Sequence, residues 1–566
     1  MGDFGHGSVG RRASAFTTLL PLRATSYGTH ALYELSIAMK GAVDTVKDGP
    51  DPEENILVPA GYTYFGQFID HDLTFDSTSS LNNGSGAEPT NLRTPRFDLD
   101  CVYGDGPDAQ PYLYDAAGQK LLYRNEAPTT GEGDLAAKDL LRNPDGRAII
   151  GDKRNDENSI VSQIQLAFIK YHNAVVDELN KHDPNTWNVP GNLFVSARNE
   201  VRWTYQTLVV NDFLKRIVRV EVLQGLDGQT PTGRAHNYAL YTADKRSNLP
   251  REFVAAAYRF GHSGVRTGYR MNGADGTATH PENRFNIFPS SDNSTTIAGA
   301  DSLLGFDPMT NNQVIENWER FFPVTLPNVL PTEHRTTAAG DEPCRDVRLQ
   351  FAYKLDPTLV DPLGVLPRAQ VAGESATRET ESLITPNKLP DGKLKDGTTP
   401  VVSPPRPSLA LLNLLRGDSY RIASGQAVVA ALQQAGFDCK TVQHSALATR
   451  QPGAKDKTFK FVPIPTHFQN DTPLWFYVLA EAQEPIAIHF GHREFDESEL
   501  LNGIGAKTQL GWVGGRIVSE VFYGLLDSDS ESYVNAAPTG WKPMLGTGAP
   551  PLVFRSLLKF ADSTNA

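Results

Sequence analysis

Gly66-Gln67-Phe68-Ile69-Asp70-His71-Asp72 ends an apolar, aromatic run that begins at Tyr62. A histidine set between two aspartates on such a run is costly to bury unless each polar group finds a partner. The pattern predicts a buried helix, on which Gln67 and His71, four residues apart, share one face. About eighty residues later comes Gly151-Asp152-Lys153-Arg154-Asn155-Asp156-Glu157. Arg154 and Glu157, three apart, would also share a face. A base, an amide and a fixed cation converging on one point suit a site that splits a polar bond.

Around these two stretches the periodicity is helical. Apolar residues at helical spacing predict helices over 31–46, 158–181, 200–223 and 251–260. Further helices are predicted at 410–415, 425–435, 475–482 and 514–526. Long stretches rich in glycine, proline and polar residues separate them, at 76–93, 104–118, 273–300 and 392–407. Loops of that length inside one core are functional or disordered. No internal repeat, low-complexity tract or charge run divides the chain. The expectation is a mainly α fold: one large helical domain over 25–540 with little β structure, preceded by an N-terminal extension over 1–24 and followed by a tail over 541–566. The length of 566 residues alone would favour several domains.

Composition narrows the partners. The formal net charge of −13 disfavours nucleic acid. No run of about eighteen apolar residues is present to span a membrane. Residues 1–24 carry Arg11 and Arg12, but Thr17, Thr18, Pro21 and Arg23 interrupt any apolar core, so they do not read as a secretory signal. A soluble protein is expected, in the cytoplasm or exported by a signal-independent route. Cys101, Cys344 and Cys439 are scattered, which gives neither a disulfide framework nor a zinc pattern.

Each candidate residue has a structural reading beside the chemical one. His71 could be a core histidine bonded by Asp70 or Asp72, and offers too few companions for a zinc site. Thr94, Asp98 and Asp100 alternate in Thr94-Pro95-Arg96-Phe97-Asp98-Leu99-Asp100. With Asp72 and the carbonyl of Arg96 they could give calcium its oxygen ligands, although most such segments are solvated loops. His262, in Tyr258-Arg259-Phe260-Gly261-His262, reads either as a histidine at a helix end or as an axial ligand beneath a flat cofactor, with Arg259 facing a carboxylate. Asn413, inside Leu411-Leu412-Asn413-Leu414-Leu415-Arg416, must be satisfied if buried. One use is to accept Nδ1–H of a metal-bound histidine, with Arg416 facing the same region. His172-Asn173 reads as a structural pair.

Taken together these stretches resemble the animal-type haem peroxidase family, the peroxidase–cyclooxygenase superfamily. The similarity covers roughly residues 25–535 in the family's motif order. The distal signature falls on Gln67, Asp70, His71 and Asp72, the calcium loop on Thr94 to Asp100, and the G-D-x-R-x-x-E motif on Gly151 to Glu157. The proximal segment falls on Arg259 to His262, and its N-x-x-R partner on Asn413 and Arg416. The resemblance implies haem b, with His262 on the iron and Asn413 orienting it, and a calcium ion. It implies hydrogen peroxide as oxidant, His71 moving a proton, Arg154 stabilising charge, Gln67 holding water or a halide, and a small donor (halide, thiocyanate or phenol). Asp70 and Glu157 match the positions that form haem esters in mammalian relatives. Asn158 stands where a mammalian member carries a sulfonium-forming methionine, which disfavours chloride as donor.

Two other readings remain within the resemblance. Fatty-acid dioxygenases of the same fold place a radical tyrosine three residues before the proximal histidine. That position here is Arg259, and Tyr258, one residue earlier, is expected on another face. A non-catalytic, adhesive relative is the third, disfavoured by the presence of His71, Arg154, His262 and Asn413. The low cysteine count resembles a bacterial member.

Overall fold

The structure is a computed structural model. It describes residues 14–41, 51–75, 89–124, 139–230, 233–271, 284–288, 302–315, 317–323, 349–364, 408–501, 503–544 and 553–563. Helices dominate, as the periodicity predicts. Those that frame the fold are α1 (Thr29–Ala38), α2 (Gly61–Leu73), α3 (Ser159–Leu179), α4 (Leu193–Leu208), α5 (Arg251–Ala255), α6 (Leu409–Ser419), α7 (Gly425–Gln434), α8 (Leu474–Phe490), α9 (Trp512–Ser528) and α10 (Phe554–Ser563).

α3 is the central strut, packed against α2, α4 and α10. Its start is fixed by Asn158, whose side chain accepts from the N–H groups of Ile160 and Val161. Almost every side chain along it is buried, because other helices cover more than one of its faces. α2 packs on α3 through Phe68, stacked on Phe168 at 4.7 Å between ring centres. Phe65, Phe68 and Ile69 are fully buried. Each contributes about 1.5–3 kcal/mol by leaving water. That apolar face presses α2 inward and carries its polar residues into the core with it.

Three predicted helices end or break early, while those expected over 410–415 and 475–482 run on to Ser419 and Phe490. The helix expected over 200–223 is α4, then a wider turn over Val209–Phe213 and a break at Val218. The wider turn puts Phe213 against Gly66 of α2, where a Cβ would lie 3.0 Å from the ring. The helix expected over 251–260 stops at Ala255, and Ala257–His262 is a tighter 3₁₀ turn. The helix expected over 31–46 ends at Ala38.

Strand pairs are short. β1 (Ser14–Ala15) pairs with β3 (Thr90–Asn91), and β2 (Glu54–Pro59) pairs with β4 (Phe351–Tyr353), all antiparallel. β5 (Ala448–Pro452), β6 (Thr458–Pro463) and β7 (Phe495–Asp496) form a three-stranded sheet with β6 in the middle. Residues 14–24 pack into the body: Phe16 and Leu19 are buried, and the Leu19 and Leu20 amides donate to Glu252. The loops expected at 76–88, 273–283, 289–300 and 392–407 lie outside the described residues, as does Cys344. Cys101 and Cys439 are buried free thiols. No helix among the described residues is long and apolar enough to cross a membrane.

Candidate functional site

A cavity of about 230 Å³ lies where α2 meets the 3₁₀ turn Ala257–His262. α2 lines it with Gly66, Gln67, Asp70 and His71, and the turn lines it with Tyr258 to His262. Glu157 and Asn158 enter from the segment before α3, and Leu409 from α6. The remaining wall is mostly apolar, with Phe213, Ile217, Val265, Ile287 and Leu363 among its members, and includes Asn55 and Thr63.

His71 is held by a residue that the sequence reading missed. Its Nδ1 lies 2.7 Å from Oδ1 of Asn155, and Nδ2 of Asn155 donates to Gln165 at 2.8 Å. Because that amide nitrogen is engaged, its oxygen faces His71 as acceptor, so Nδ1 carries the proton. Nε2 is left with a lone pair and makes no hydrogen bond among the described residues; Glu157 Oε1 is 3.8 Å away. Burial, with the charge of Arg154 nearby, lowers the pKa of His71 to about 3. The side chain is a neutral base aimed at the cavity. Asn155 was visible in the sequence as a neighbour of Arg154, but nothing local marked its partner.

Arg154 does not share this cavity. Its guanidinium bonds Asp152 through Nε at 3.1 Å and Nη2 at 2.8 Å. Nη2 also reaches the carbonyls of His71 at 3.0 Å and Thr74 at 2.6 Å. Lys153–Asp156 is a 3₁₀ turn, in which residues three apart eclipse, so the turn type does not separate Arg154 from Glu157. The bonds to Asp152 and to the His71 and Thr74 carbonyls aim the guanidinium at the end of α2, while Glu157 lines the cavity. Gln67 lines the cavity as expected, but both ends of its amide are engaged: Nε2 donates to Glu157, and Oε1 accepts from Asn158 at 3.1 Å. Burial raises the Glu157 carboxyl to about 7, and burial also raises Asp70, which accepts from the Thr74 hydroxyl at 3.1 Å.

On the other element, Trp475 of α8 donates to the Arg259 carbonyl at 3.1 Å, and the amide of Asp356 donates to Ser263 Oγ at 2.9 Å. These bonds fix the turn from both ends. His262 is half-buried and neutral, its pKa lowered to about 3 by desolvation. Asn413 meets it as expected, at 2.7 Å from Nδ1, but through Nδ2, because Arg259 Nη1 donates to Oδ1 at 3.1 Å. Arg416 does not line the cavity; its guanidinium lies 5.6 Å from the Tyr420 ring centre. Tyr258 does line it, contrary to the expected facing. Its hydroxyl donates to the Gly66 carbonyl at 3.1 Å, tying the two elements together.

Beside the cavity, Asp72, Asp98 and Asp100 each place a carboxylate oxygen within 4.8 Å of the others. Both oxygens of Asp72 are buried without a hydrogen bond. Burial, then the charges of Asp98 and Asp100, push its carboxyl well above the usual range. Thr94 donates to Asp98 at 2.7 Å, and the Arg96 guanidinium lies 3.4 Å from Asp529. Arg93, which the sequence reading did not single out, bonds Asp100 at 3.1 Å and also Asp152. His172 and Asn173 brace the chain segment before them: His172 meets the Tyr103 hydroxyl and the Gln119 carbonyl, and Asn173 meets both backbone groups of Leu121.

Residues 77–336 match the sequence model of the animal haem peroxidase family, a span that holds the Thr94, Arg154 and His262 motifs in order. Over that span, just under half of its length, the chain is similar to the animal haem peroxidase family. A peroxidase-like protein of Margaritifera margaritifera is 27% identical over 263 residues, 38% of this chain and 32% of that protein. A dual oxidase of Drosophila melanogaster is 24% identical over 219 residues, 36% of this chain and 13% of that protein. The chain therefore spans a third or less of those relatives. Among solved structures, peroxidase A of Dictyostelium discoideum aligns with TM-score 0.48 at 13% identity, over 98% of this chain and 94% of that one. A fatty acid alpha-dioxygenase of Oryza sativa aligns with TM-score 0.46 at 14% identity, over 96% and 79%.

The cavity suits the family's haem. Gly261 lines it, and a Cβ added there would meet nothing within 4 Å, so a flat ring can approach the backbone. His262 Nε2 makes no hydrogen bond among the described residues, and Arg259 stands beside it on the same wall.

Proposed function

We propose that the protein is a haem-dependent peroxidase that reduces hydrogen peroxide and oxidises a small donor, such as bromide, iodide, thiocyanate or a phenol. The observation that carries this reading is the His71–Asn155 pair, which leaves an uncharged ring with a lone pair facing the cavity that His262 also lines. Haem b held by His262 would supply the iron on which peroxide is reduced. His71 Nε2 would take the proton from one peroxide oxygen and pass it to the other, which leaves as water. Neutrality matters here, because a protonated ring could not accept that proton. Gln67, itself bonded by Asn158, holds Glu157, and Arg154 holds the last turn of α2, so neither acid nor base drifts. Asp70 and Glu157 both line the cavity and are the carboxylates available for ester links to haem. A calcium ion would sit on Asp72, Thr94, Asp98, Asp100 and the Arg96 carbonyl, where three close carboxylates otherwise repel one another.

The test is haem reconstitution followed by peroxide and guaiacol or iodide. Peroxide-dependent donor oxidation that falls at least ~100-fold in His71→Ala supports the reading. A haem-loaded protein that turns over no donor points instead to a non-catalytic relative. A second reading, fatty-acid oxygenation, is favoured by one observation: the Tyr258 phenol reaches the cavity. Oxygen uptake with palmitate that is lost in Tyr258→Phe would move the assignment there.

A further inference from the structure

His262 and Asn413 meet nitrogen to nitrogen, and Arg259 is the reason. A guanidinium carries donors only, so the amide atom that faces Arg259 Nη1 must be the oxygen. Turning the amide over would set Nδ2 against Nη1, donor against donor. Nδ2 is therefore left for His262, 2.7 Å from Nδ1, and Nδ1 must accept. The one proton of the neutral ring then sits on Nε2. That is the wrong tautomer for a metal ligand. A ligating nitrogen offers its lone pair, and the other ring nitrogen donates its N–H to an acceptor. With Arg259 on Oδ1 and Nδ2 turned to His262, the ring is placed for the tautomer that does not ligate through Nε2, and ligation requires the amide to move.

We propose that Arg259 is a positioning residue that works as a latch: it keeps His262 in the non-ligating tautomer until a carboxylate on the incoming ligand draws the guanidinium away from Asn413. This rests on the reading of the cavity as a haem site. A carboxylate outcompetes an amide oxygen for a guanidinium, because the bond is charge-assisted and can be bidentate. Arg259 lines the cavity, within reach of such a group. Once released, the Asn413 amide turns over, and Oδ1 accepts from Nδ1–H. The ring proton moves from Nε2 to Nδ1 by exchange with water, with no net gain or loss. The ligand class selected is a metalloporphyrin with free carboxylates. The same macrocycle with its acids blocked leaves the latch closed.

The test uses the full chain, labelled with ¹⁵N-histidine, with His262→Asn to assign the ring signals. In the ligand-free protein His262 should be protonated on Nε2. Metal-free protoporphyrin IX, which has the carboxylates but no iron, should move the proton to Nδ1, and its dimethyl ester should not. Arg259→Met should show Nδ1–H without any ligand. That variant should also bind haemin dimethyl ester about tenfold more tightly than the unsubstituted chain does, while its affinity for haemin does not rise. A residue that only braced the turn would lower both affinities. An Nδ1–H ring in the ligand-free protein, or an unchanged ratio of the two affinities in Arg259→Met, overturns the latch. If Arg259→Met fails to fold, the tautomer comparison in the unsubstituted chain decides alone. If neither haemin nor protoporphyrin binds, the haem reading itself falls and takes the latch with it.

Discussion

Nδ1 of His71 lies 2.7 Å from Oδ1 of Asn155, and Asn155 in turn donates to Gln165 on α3. The base at the cavity is therefore oriented from the central helix of the fold, through one amide. Asn155→Ala removes the acceptor and lets both tautomers form. The rate of reaction with peroxide should fall about 10–100-fold in stopped-flow measurements, with haem content unchanged. Asn155→Asp keeps an acceptor and should retain most of the rate. Equal losses in both variants would show that tautomer control is not what Asn155 supplies.

Arg154 should behave as a structural residue. Burial alone would raise Asp152, yet the guanidiniums of Arg154 and Arg93 hold its carboxyl well below the usual range. Arg154→Ala leaves that carboxylate with Arg93 only and frees the carbonyls of His71 and Thr74. Stability to urea should drop by about 2–4 kcal/mol. Arg154→Lys should recover little of it, since a point charge cannot span the same acceptors. A variant as stable as the parent, but with a lower rate of reaction with peroxide, would return Arg154 to a direct role at the cavity.

The contrast between these two residues marks where the sequence was readable. The periodicity around Phe68, Phe168 and Trp475 placed α2, α3 and α8, because a buried helix must repeat its apolar residues. Gln67, Asp70, His71, Glu157, Arg259 and His262 all reach the cavity, since their motifs lie on adjoining elements. Arg154 was misplaced because spacing says nothing of the nearest carboxylate, and Asp152 sits two residues away. Tyr258 was misplaced because the chain breaks at Ala256, with φ −139° and ψ −70°, so the face of the preceding helix does not continue through it. Asn155 and Arg93 were passed over because their partners, Gln165 and Asp152, are brought to them only by the fold.

Asp72 offers a sign test for the cation. Without an ion, three close carboxylates at Asp72, Asp98 and Asp100 destabilise the folded chain. With calcium at about 100 times its Kd, binding adds about 2.7 kcal/mol. Asp72→Asn should therefore be less stable than the parent in calcium and no less stable in EGTA. Thermal melts in the two buffers check this. A parent protein whose Tm ignores EGTA and calcium would remove the calcium assignment.

Glu157 gives the pH dependence. Its folded pKa of about 7 stands above the ordinary 4.5, with burial as the main cause. A group raised on folding adds stability that is complete below about pH 4.5 and is lost as pH climbs through 7. Glu157→Gln stays neutral and can still accept from Gln67, so it keeps that stability at high pH. In the haem-free chain, where no ester can mask the titration, parent and variant should be equally stable near pH 4. At pH 8 the variant should lead by about 1–2 kcal/mol, a figure reduced for the partial exposure of the side chain. Urea denaturation at both values checks the sign. A lead that is the same at both pH values would mean that Glu157 is ionised throughout, and that the short contact with Gln67 joins an amide to a carboxylate at every pH.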